Sequence, residues 1–135
     1  MEYMKGLADN AFDIAIVDPQ YGIEADKKNA HSSIRDNEKW ALKEWDKQPP
    51  GEDYFKELFR VSKHQIIWGG NYFLDYLPST QCFLIWNKPE RNFSLADAEI
   101  AWTSFKKSIR VYDSPRNKGQ RIHPTQKPIG LYKWM

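Results

Sequence analysis

Three short apolar runs constrain the fold of this chain more than any other feature. Phe12–Val17, Gln65–Trp68 and Cys82–Trp86 are rich in β-branched and aromatic side chains, which is typical of buried strands. Between the first two, Glu52–Ser62 places apolar side chains at helical spacing, so a helix connects them. Strands that alternate with helices predict an α/β domain with a parallel sheet.

Further elements are predicted on either side of these runs. Ala98–Phe105 and Ile109–Tyr112 are expected to form an antiparallel pair at one edge of the sheet. A short helix is predicted over Asn71–Leu77, and another helix begins at Pro128. Roughly residues 23–50 are polar and without periodicity, which predicts a long loop.

Length and composition favour one domain over residues 1–135. Hydrophobic residues make up 41% and charged residues 28% of the chain, a globular balance. A single cysteine, Cys82, leaves no internal disulfide, and three histidines without a Cys/His cluster argue against a metal site. No apolar run approaches the ~20 residues that a membrane span needs. We therefore expect a cytoplasmic protein without a membrane segment.

The charge is distributed unevenly. Residues 106–135 contain eight basic residues and one acidic residue, a net charge of +7, whereas residues 1–105 carry −5. Such asymmetry is typical of a protein that contacts a polyanion with its basic third, although a solvated charged surface explains it equally well.

The tetrapeptide after the first predicted strand combines groups that suit a nucleobase amine. Asp18 offers a carboxylate and Pro19 a fixed carbonyl, and both accept hydrogen bonds. Tyr21 offers a flat face for stacking. Two acceptors of the amine hydrogens would pull the nitrogen toward tetrahedral geometry and free its lone pair. Taken alone, Asp18-Pro19 is more often an ordinary turn that ends a strand.

Several segments together resemble one enzyme family. Asp18-Pro19-Gln20-Tyr21 is similar to the Asp-Pro-Pro-Tyr motif of the amino-methylating DNA methyltransferases, which use S-adenosylmethionine. The preceding segment 4–13, the segments 60–73 and 96–105, and His123-Pro124-Thr125-Gln126-Lys127-Pro128 also look like family motifs. The motif order is that of the β-arranged group, and the resemblance spans nearly the whole chain.

The resemblance implies a Rossmann-like methyltransferase fold and roles for individual residues. Asp18 and the Pro19 carbonyl would accept the hydrogens of the target amine, Gln20 replaces the second Pro of the motif, and Tyr21 would stack on a flipped base. The implied cofactor is S-adenosylmethionine. The segment implied to border its pocket consists of His123, Pro124, Thr125, Gln126 and Lys127.

The implied partner is double-stranded DNA, and adenine N6 is the expected target because Asp occupies the first motif position. Backbone contacts are expected from basic residues near or within the C-terminal third, namely Lys88, Arg116, Lys118 and Arg121.

Alternatives remain at this stage. The family's Gly-rich cofactor segment would follow Met135, so we expect a catalytic half that lacks much of the cofactor-binding half. Cytosine N4 is a second target, and RNA or protein glutamine a weaker one. A non-catalytic nucleic-acid-binding module of the same shape is the other class of function. An open sheet edge would favour a homodimer.

Overall fold

The computed structural model describes residues 2–23, 48–91, 96–115 and 126–135. The predicted loop over 23–50 therefore lies mostly outside the described residues. The described elements, in chain order, are helix α1 (Glu2–Lys5), strand β1 (Phe12–Val17), helix α2 (Glu52–Val61), strand β2 (Ser62–Trp68), a 3₁₀ turn (Gly70–Tyr72), strand β3 (Phe83–Asn87), strand β4 (Ala98–Thr103), strand β5 (Arg110–Asp113) and helix α3 (Ile129–Trp134).

The molecule is a small α/β domain around a five-stranded mixed sheet of order β1-β2-β4-β3-β5. β1 and β2 run parallel, as do β3 and β5, and β4 is antiparallel to both of its neighbours. The prediction of an α/β fold with parallel strands is confirmed in this coarse form. The order is not that of a full Rossmann sheet, in which the neighbouring strands are parallel throughout.

The predicted antiparallel pair at one edge of the sheet is wrong. β4 lies in the centre, between β2 and β3, and β5 pairs with β3 instead of β4. Ile67 of β2 is opposite Trp102, and Phe83 of β3 is opposite the same residue from the other side. The central position of β4 buries Ala101 and Trp102, which a pair at the edge of the sheet would not do.

β1 was predicted as a buried strand, and this is also wrong. It is the outermost strand of the described sheet, and Phe12, Ile14 and Ile16 are each more than 40% exposed. Only its alternate side chains, Ala15 and Val17, pack against the core. The apolar pattern correctly predicts a strand, but it does not indicate whether a second layer covers both faces.

The core lies on both faces of the sheet because neighbouring side chains of a strand point in opposite directions. On one face, Ile67 packs with Phe55 and Leu58 of α2. On the other face, Ile66 and Trp68 form a second cluster, completed by Trp86, Ala101 and Leu131 of α3. The predicted α2 and the helix after Pro128 are confirmed, each to within a residue.

The helix predicted over Asn71–Leu77 is replaced by successive tight turns. The backbone N–H of Tyr72 donates to the Gly69 carbonyl at 2.8 Å, and that of Tyr76 donates to the Phe73 carbonyl at 2.9 Å. Both bonds span three residues rather than four, and Phe73 has a φ of −123°, which ends the 3₁₀ turn. The turns bury Phe73 and Leu77 while their neighbours remain exposed.

Candidate functional site

The tetrapeptide Asp18–Tyr21 lies at the carboxyl end of β1, where the sequence places it. Val17 of β1 is paired with Ile67 of the parallel strand β2, so the segment after β2 begins at the same edge of the sheet. The aromatic ring of Tyr21 packs directly against Gly69, which follows β2. Ligands of open α/β sheets bind at this edge.

Both oxygens of the Asp18 carboxylate have a partner. The Tyr21 hydroxyl donates to Oδ1 at 2.6 Å, and the Lys127 ammonium donates to Oδ2 at 2.5 Å. Asp18 and Lys127 are 109 positions apart in the chain. Two segments that the sequence marks separately as site residues are therefore in direct contact.

The contact between Asp18 and Lys127 continues into a chain of alternating charges. Lys127 also lies 3.2 Å from Oε2 of Glu99, and Oε1 of Glu99 is 2.5 Å from the Lys88 ammonium. Glu99 is the second residue of the central strand β4. The order is Tyr21, Asp18, Lys127, Glu99, Lys88, which we call the ionic chain.

The ionic chain is buried at both lysines and opens to solvent at Asp18. The side chains of Lys127 and Lys88 are 3% and 7% exposed, and that of Asp18 is 30% exposed. Each lysine also lies near a buried indole: Lys127 Nζ is 5.1 Å from the ring centre of Trp68, and Lys88 Nζ is 4.7 Å from that of Trp86. Such cation–π contacts help to hold an ammonium group away from water.

Glu99 remains a carboxylate in this setting. Burial by itself would raise its pKa, but the charges of Lys127 and Lys88 and the hydrogen bonds they donate outweigh burial, so the pKa of Glu99 lies below its usual value. The four ionised groups carry two positive and two negative charges. The cluster is therefore internally neutral, which is the condition under which buried charges persist.

Tyr21 is fixed on several sides. Its ring stacks on Tyr72, with centres 4.7 Å apart and planes 15° from parallel, and meets the edge of Phe73. Burial, followed by the nearby Asp18 charge, raises the pKa of the Tyr21 hydroxyl, so this hydroxyl is a donor at neutral pH. Tyr72, which is 46% exposed, covers one face of the ring that the sequence assigns to base stacking.

Lys88 occupies a different environment from the one predicted. An exposed cation was expected to contact DNA phosphates, but the side chain is buried and its charge is paired with Glu99. The physical reason is that Lys88 directly follows β3 beside Glu99, since Trp86 of β3 is opposite Glu99 in the sheet. Lys88 thus belongs to the ionic chain and not to an exposed basic surface.

The remaining predicted site residues are only partly described. Pro19 is half-buried, Gln20 is exposed, and Gln126 is half-buried beside Lys127. The others lie outside the described residues, so their predicted roles stay predictions: His123, Pro124, Thr125, Arg116, Lys118 and Arg121.

The pair Gly69-Gly70 does not provide a backbone cradle for a nucleotide cofactor. Gly69 has a φ of 68°, but a Cβ there would lie 2.1 Å from Cε1 of Tyr21. At Gly70 a Cβ would lie 2.6 Å from the Cβ of Trp102. Gly69 therefore makes room for the Tyr21 ring and Gly70 for the Cβ and backbone of Trp102, whereas a dinucleotide-type loop uses its glycines to bring the backbone close to a ligand.

Sequence reasoning assigned no role to Glu99. A signal was present, because Glu99 is a charged residue directly before the apolar run Ile100–Trp102 of β4. Charged side chains in such positions are rarely buried unless they are paired. The sequence around Glu99 does not identify the partners of its carboxylate, because Lys88 and Lys127 come from two separate parts of the chain.

Comparisons of this chain with protein-family models, with curated proteins and with solved structures found no match. Among the described residues, no helix is both long enough and apolar enough to span a membrane.

Proposed function

We propose that this chain carries the amine-binding site of an S-adenosylmethionine-dependent DNA methyltransferase. Its substrate is the exocyclic amine of a flipped base, and adenine N6 is the target that we propose first. The observation that carries the proposal is the contact between Asp18 and Lys127. It joins the two segments with the most specific family resemblance at the ligand-binding edge of an α/β sheet.

Asp18 supplies the acceptor for the target amine. A carboxylate has about four acceptor positions, and Tyr21 and Lys127 each use one. The side chain is 30% exposed, so an amine hydrogen can reach it. The neighbouring Pro19 carbonyl accepts the second hydrogen, which helps the amine nitrogen become pyramidal and nucleophilic.

Stacking of the base is assigned to Tyr21, and Tyr72 must then leave the face that it covers. A ring pair of this kind contributes about 0.5–1.5 kcal/mol, and base stacking on an aromatic side chain contributes ~1–3 kcal/mol. The exchange is therefore feasible on energetic grounds. S-adenosylmethionine supplies the methyl group. No step is assigned to residues around it, because only Gln126 and Lys127 are described from the segment implied to border its pocket.

The decisive experiment is methyl transfer from radiolabelled S-adenosylmethionine to adenine-containing duplex DNA. The assay uses a version of the chain that binds S-adenosylmethionine, and wild-type denotes that version without a substitution. We expect it to incorporate the methyl group, with N6-methyladenine as the product in nucleoside analysis. Asp18→Ala should abolish incorporation while leaving the circular dichroism spectrum unchanged. Asp13→Asn is the control, because it removes a carboxylate from an exposed pair with Lys63 at the far end of β1.

Retained activity in Asp18→Ala would contradict the role of Asp18. N4-methylcytosine as the only product would move the target to cytosine. Absence of transfer by the wild-type chain, together with salt-sensitive DNA binding, would favour the non-catalytic nucleic-acid-binding module.

A further inference from the structure

The ionic chain contains two groups that the proposed function does not use for chemistry, Glu99 and Lys88, and one that it uses only as a contact, Lys127. Burying the ammonium groups of the two lysines is costly unless each has a partner in good geometry. Here each carboxylate uses one oxygen for each of two partners. This pairing therefore fixes the positions of the two carboxylates and of the two ammonium groups.

We propose that Glu99 and Lys127 are positioning residues for Asp18: Lys127 holds the carboxylate at the mouth of the site, and Glu99 holds Lys127. The inference rests on the proposed function, in which Asp18 receives the target amine. It adds two residues that do not touch the substrate but determine how the reacting acceptor is oriented.

The geometry supports this assignment in two steps. The Lys127 ammonium lies between Asp18 Oδ2 at 2.5 Å and Glu99 Oε2 at 3.2 Å. Its side chain is only 3% exposed, so water cannot readily replace either carboxylate. A long, flexible lysine is fixed at its tip only if the tip has several partners, and among the described residues these two carboxylates are its ionic partners.

Glu99 is a suitable anchor because it belongs to the central strand. β4 is paired on both sides, with Ala98–Trp102 opposite β3 and Ala101–Thr103 opposite β2. Lys88 donates a hydrogen bond to the other oxygen of Glu99. The carboxylate is thus held between two lysines, and its position is transmitted to Asp18 through Lys127.

Positioning also has an electrostatic component. Charge on the amine becomes more positive as the methyl group is transferred, so a negative acceptor stabilises the transition state. Lys127 alone would neutralise Asp18, whereas Glu99 compensates Lys127. With Glu99→Gln the ammonium would turn its full charge toward Asp18, and the acceptor would lose both its fixed position and part of its effect.

The test compares Glu99→Gln with the exposed-pair control Asp13→Asn. The first readout needs no activity: it is the ¹⁵N signal of the Lys127 ammonium group, which burial and two carboxylates protect from exchange with water. We expect this protection to fall at least about tenfold in Glu99→Gln, since one of two ionic partners is removed, and to be unchanged in Asp13→Asn.

The second readout is the kinetics of methyl transfer. A displacement of about 1 Å in a reacting group can cost on the order of a hundredfold in rate, so Glu99→Gln should lower kcat by that order with little change in KM for DNA. Lys127→Arg, which keeps the charge, should recover part of the kcat that Lys127→Met loses.

The two readouts separate the inference from the proposed function. Unchanged protection of the Lys127 ammonium in Glu99→Gln would overturn the positioning role, whatever the activity. A KM effect without a kcat effect would do the same. A third outcome is that Glu99→Gln loses protection of the Lys127 ammonium while the wild-type chain transfers no methyl group. This outcome would support the contact between Glu99 and Lys127 but would refute the methyltransferase assignment.

Discussion

At the scale of single residues, the charge of Glu99 is expected to dominate the pH dependence of stability. Its carboxylate faces Lys127 and Lys88, with Asp18 beyond Lys127. The negative charges of Asp18 and Glu99 also raise the pKa values of Tyr21 and Tyr132, after burial as the larger cause. The pKa of Glu99 is lower in the folded protein than its ordinary value of 4.5, so its contribution is fully present above that pH.

We therefore predict that Glu99→Gln lowers the free energy of unfolding at pH 7 by about 3 kcal/mol, because two buried ammonium groups lose a partner. The deficit should shrink below pH 4.5, as the wild-type carboxylate becomes protonated on falling through its folded pKa. Urea titrations at pH 7 and pH 3 measure this. A deficit that is equal at both values would show that the effect is not electrostatic.

Gly69 offers a steric test of the Tyr21 position. Its φ of 68° is unfavourable for side chains, and a Cβ would lie 2.1 Å from Cε1 of Tyr21. Gly69→Ala should cost at least about 1–2 kcal/mol for the backbone alone and should displace the Tyr21 ring from Asp18. Gly51→Ala is the control, because nothing lies within 4 Å of a Cβ there. Similar thermal stability of the two variants would contradict the close packing at Gly69.

At this scale the sequence predicted Asp18 and Lys127 as site residues but not their contact. Local chemistry indicates that a carboxylate and a Pro after a strand are suited to binding an amine. It does not indicate that Lys127 is buried, because its burial depends on Glu99 and on the indole of Trp68. The same limit explains why Lys88 was expected at the surface.

At the scale of elements, Arg60 of α2 connects the first residues of the chain to the body of the domain. Its guanidinium donates to the carbonyls of Met4 and Leu7, each at 2.8 Å, and pairs with Asp9 and Glu57. α1 has no buried residue. The arginine is therefore the main polar anchor of a short helix in which no side chain is fully buried.

Arg60→Lys should release this segment, because an ammonium cannot reproduce the forked donor geometry of a guanidinium. We expect amide hydrogens of residues 2–9 to exchange faster, with those of β2 unchanged. Hydrogen-exchange mass spectrometry measures both in one experiment. Lys56→Met, which breaks an exposed pair with Glu52 on the same helix, serves as the control, and equal acceleration in both variants would argue against the anchoring role.

The elements themselves were largely predictable, whereas their arrangement was not. The spacing of apolar residues and the composition of the short runs located all five strands to within a few residues, because these signals are local. α2 was predicted for the same reason, with Phe55, Leu58 and Val61 buried on one side. The insertion of β4 between β2 and β3 depends on pairing between distant segments, which no local pattern encodes.

At the scale of the whole molecule, the basic third of the sequence is not one basic surface. β4 runs opposite to β1, so Lys106 and Lys107, which follow it, lie at the end of the sheet away from Asp18, as does Arg110 at the start of β5. Lys127 is buried at the site. Charge counted along a segment therefore overstates what a polyanion can contact near Asp18.

This division gives a prediction for DNA binding. Replacing Arg116, Lys118 and Arg121 together by Ala should reduce the slope of log K against log salt by about 0.9 for each DNA phosphate that is no longer neutralised. Replacing Lys106, Lys107 and Arg110 removes the same charge from the end of the sheet away from Asp18 and should leave the slope nearly unchanged. Fluorescence anisotropy over a range of salt concentrations measures both slopes, and equal reductions would indicate diffuse attraction without a defined face.

The central position of β4 also has a consequence for synthesis of the chain. β4 lies between β2 and β3 but follows both in the sequence, and β5, the other neighbour of β3, follows later still. Until residues 98–103 leave the ribosome, a nascent chain therefore exposes one hydrogen-bonding edge of β2 and both edges of β3. Unpaired strand edges are templates for association between chains. We expect nascent chains stalled before residue 98 to self-associate on release, and those stalled well after residue 113 to remain monodisperse longer.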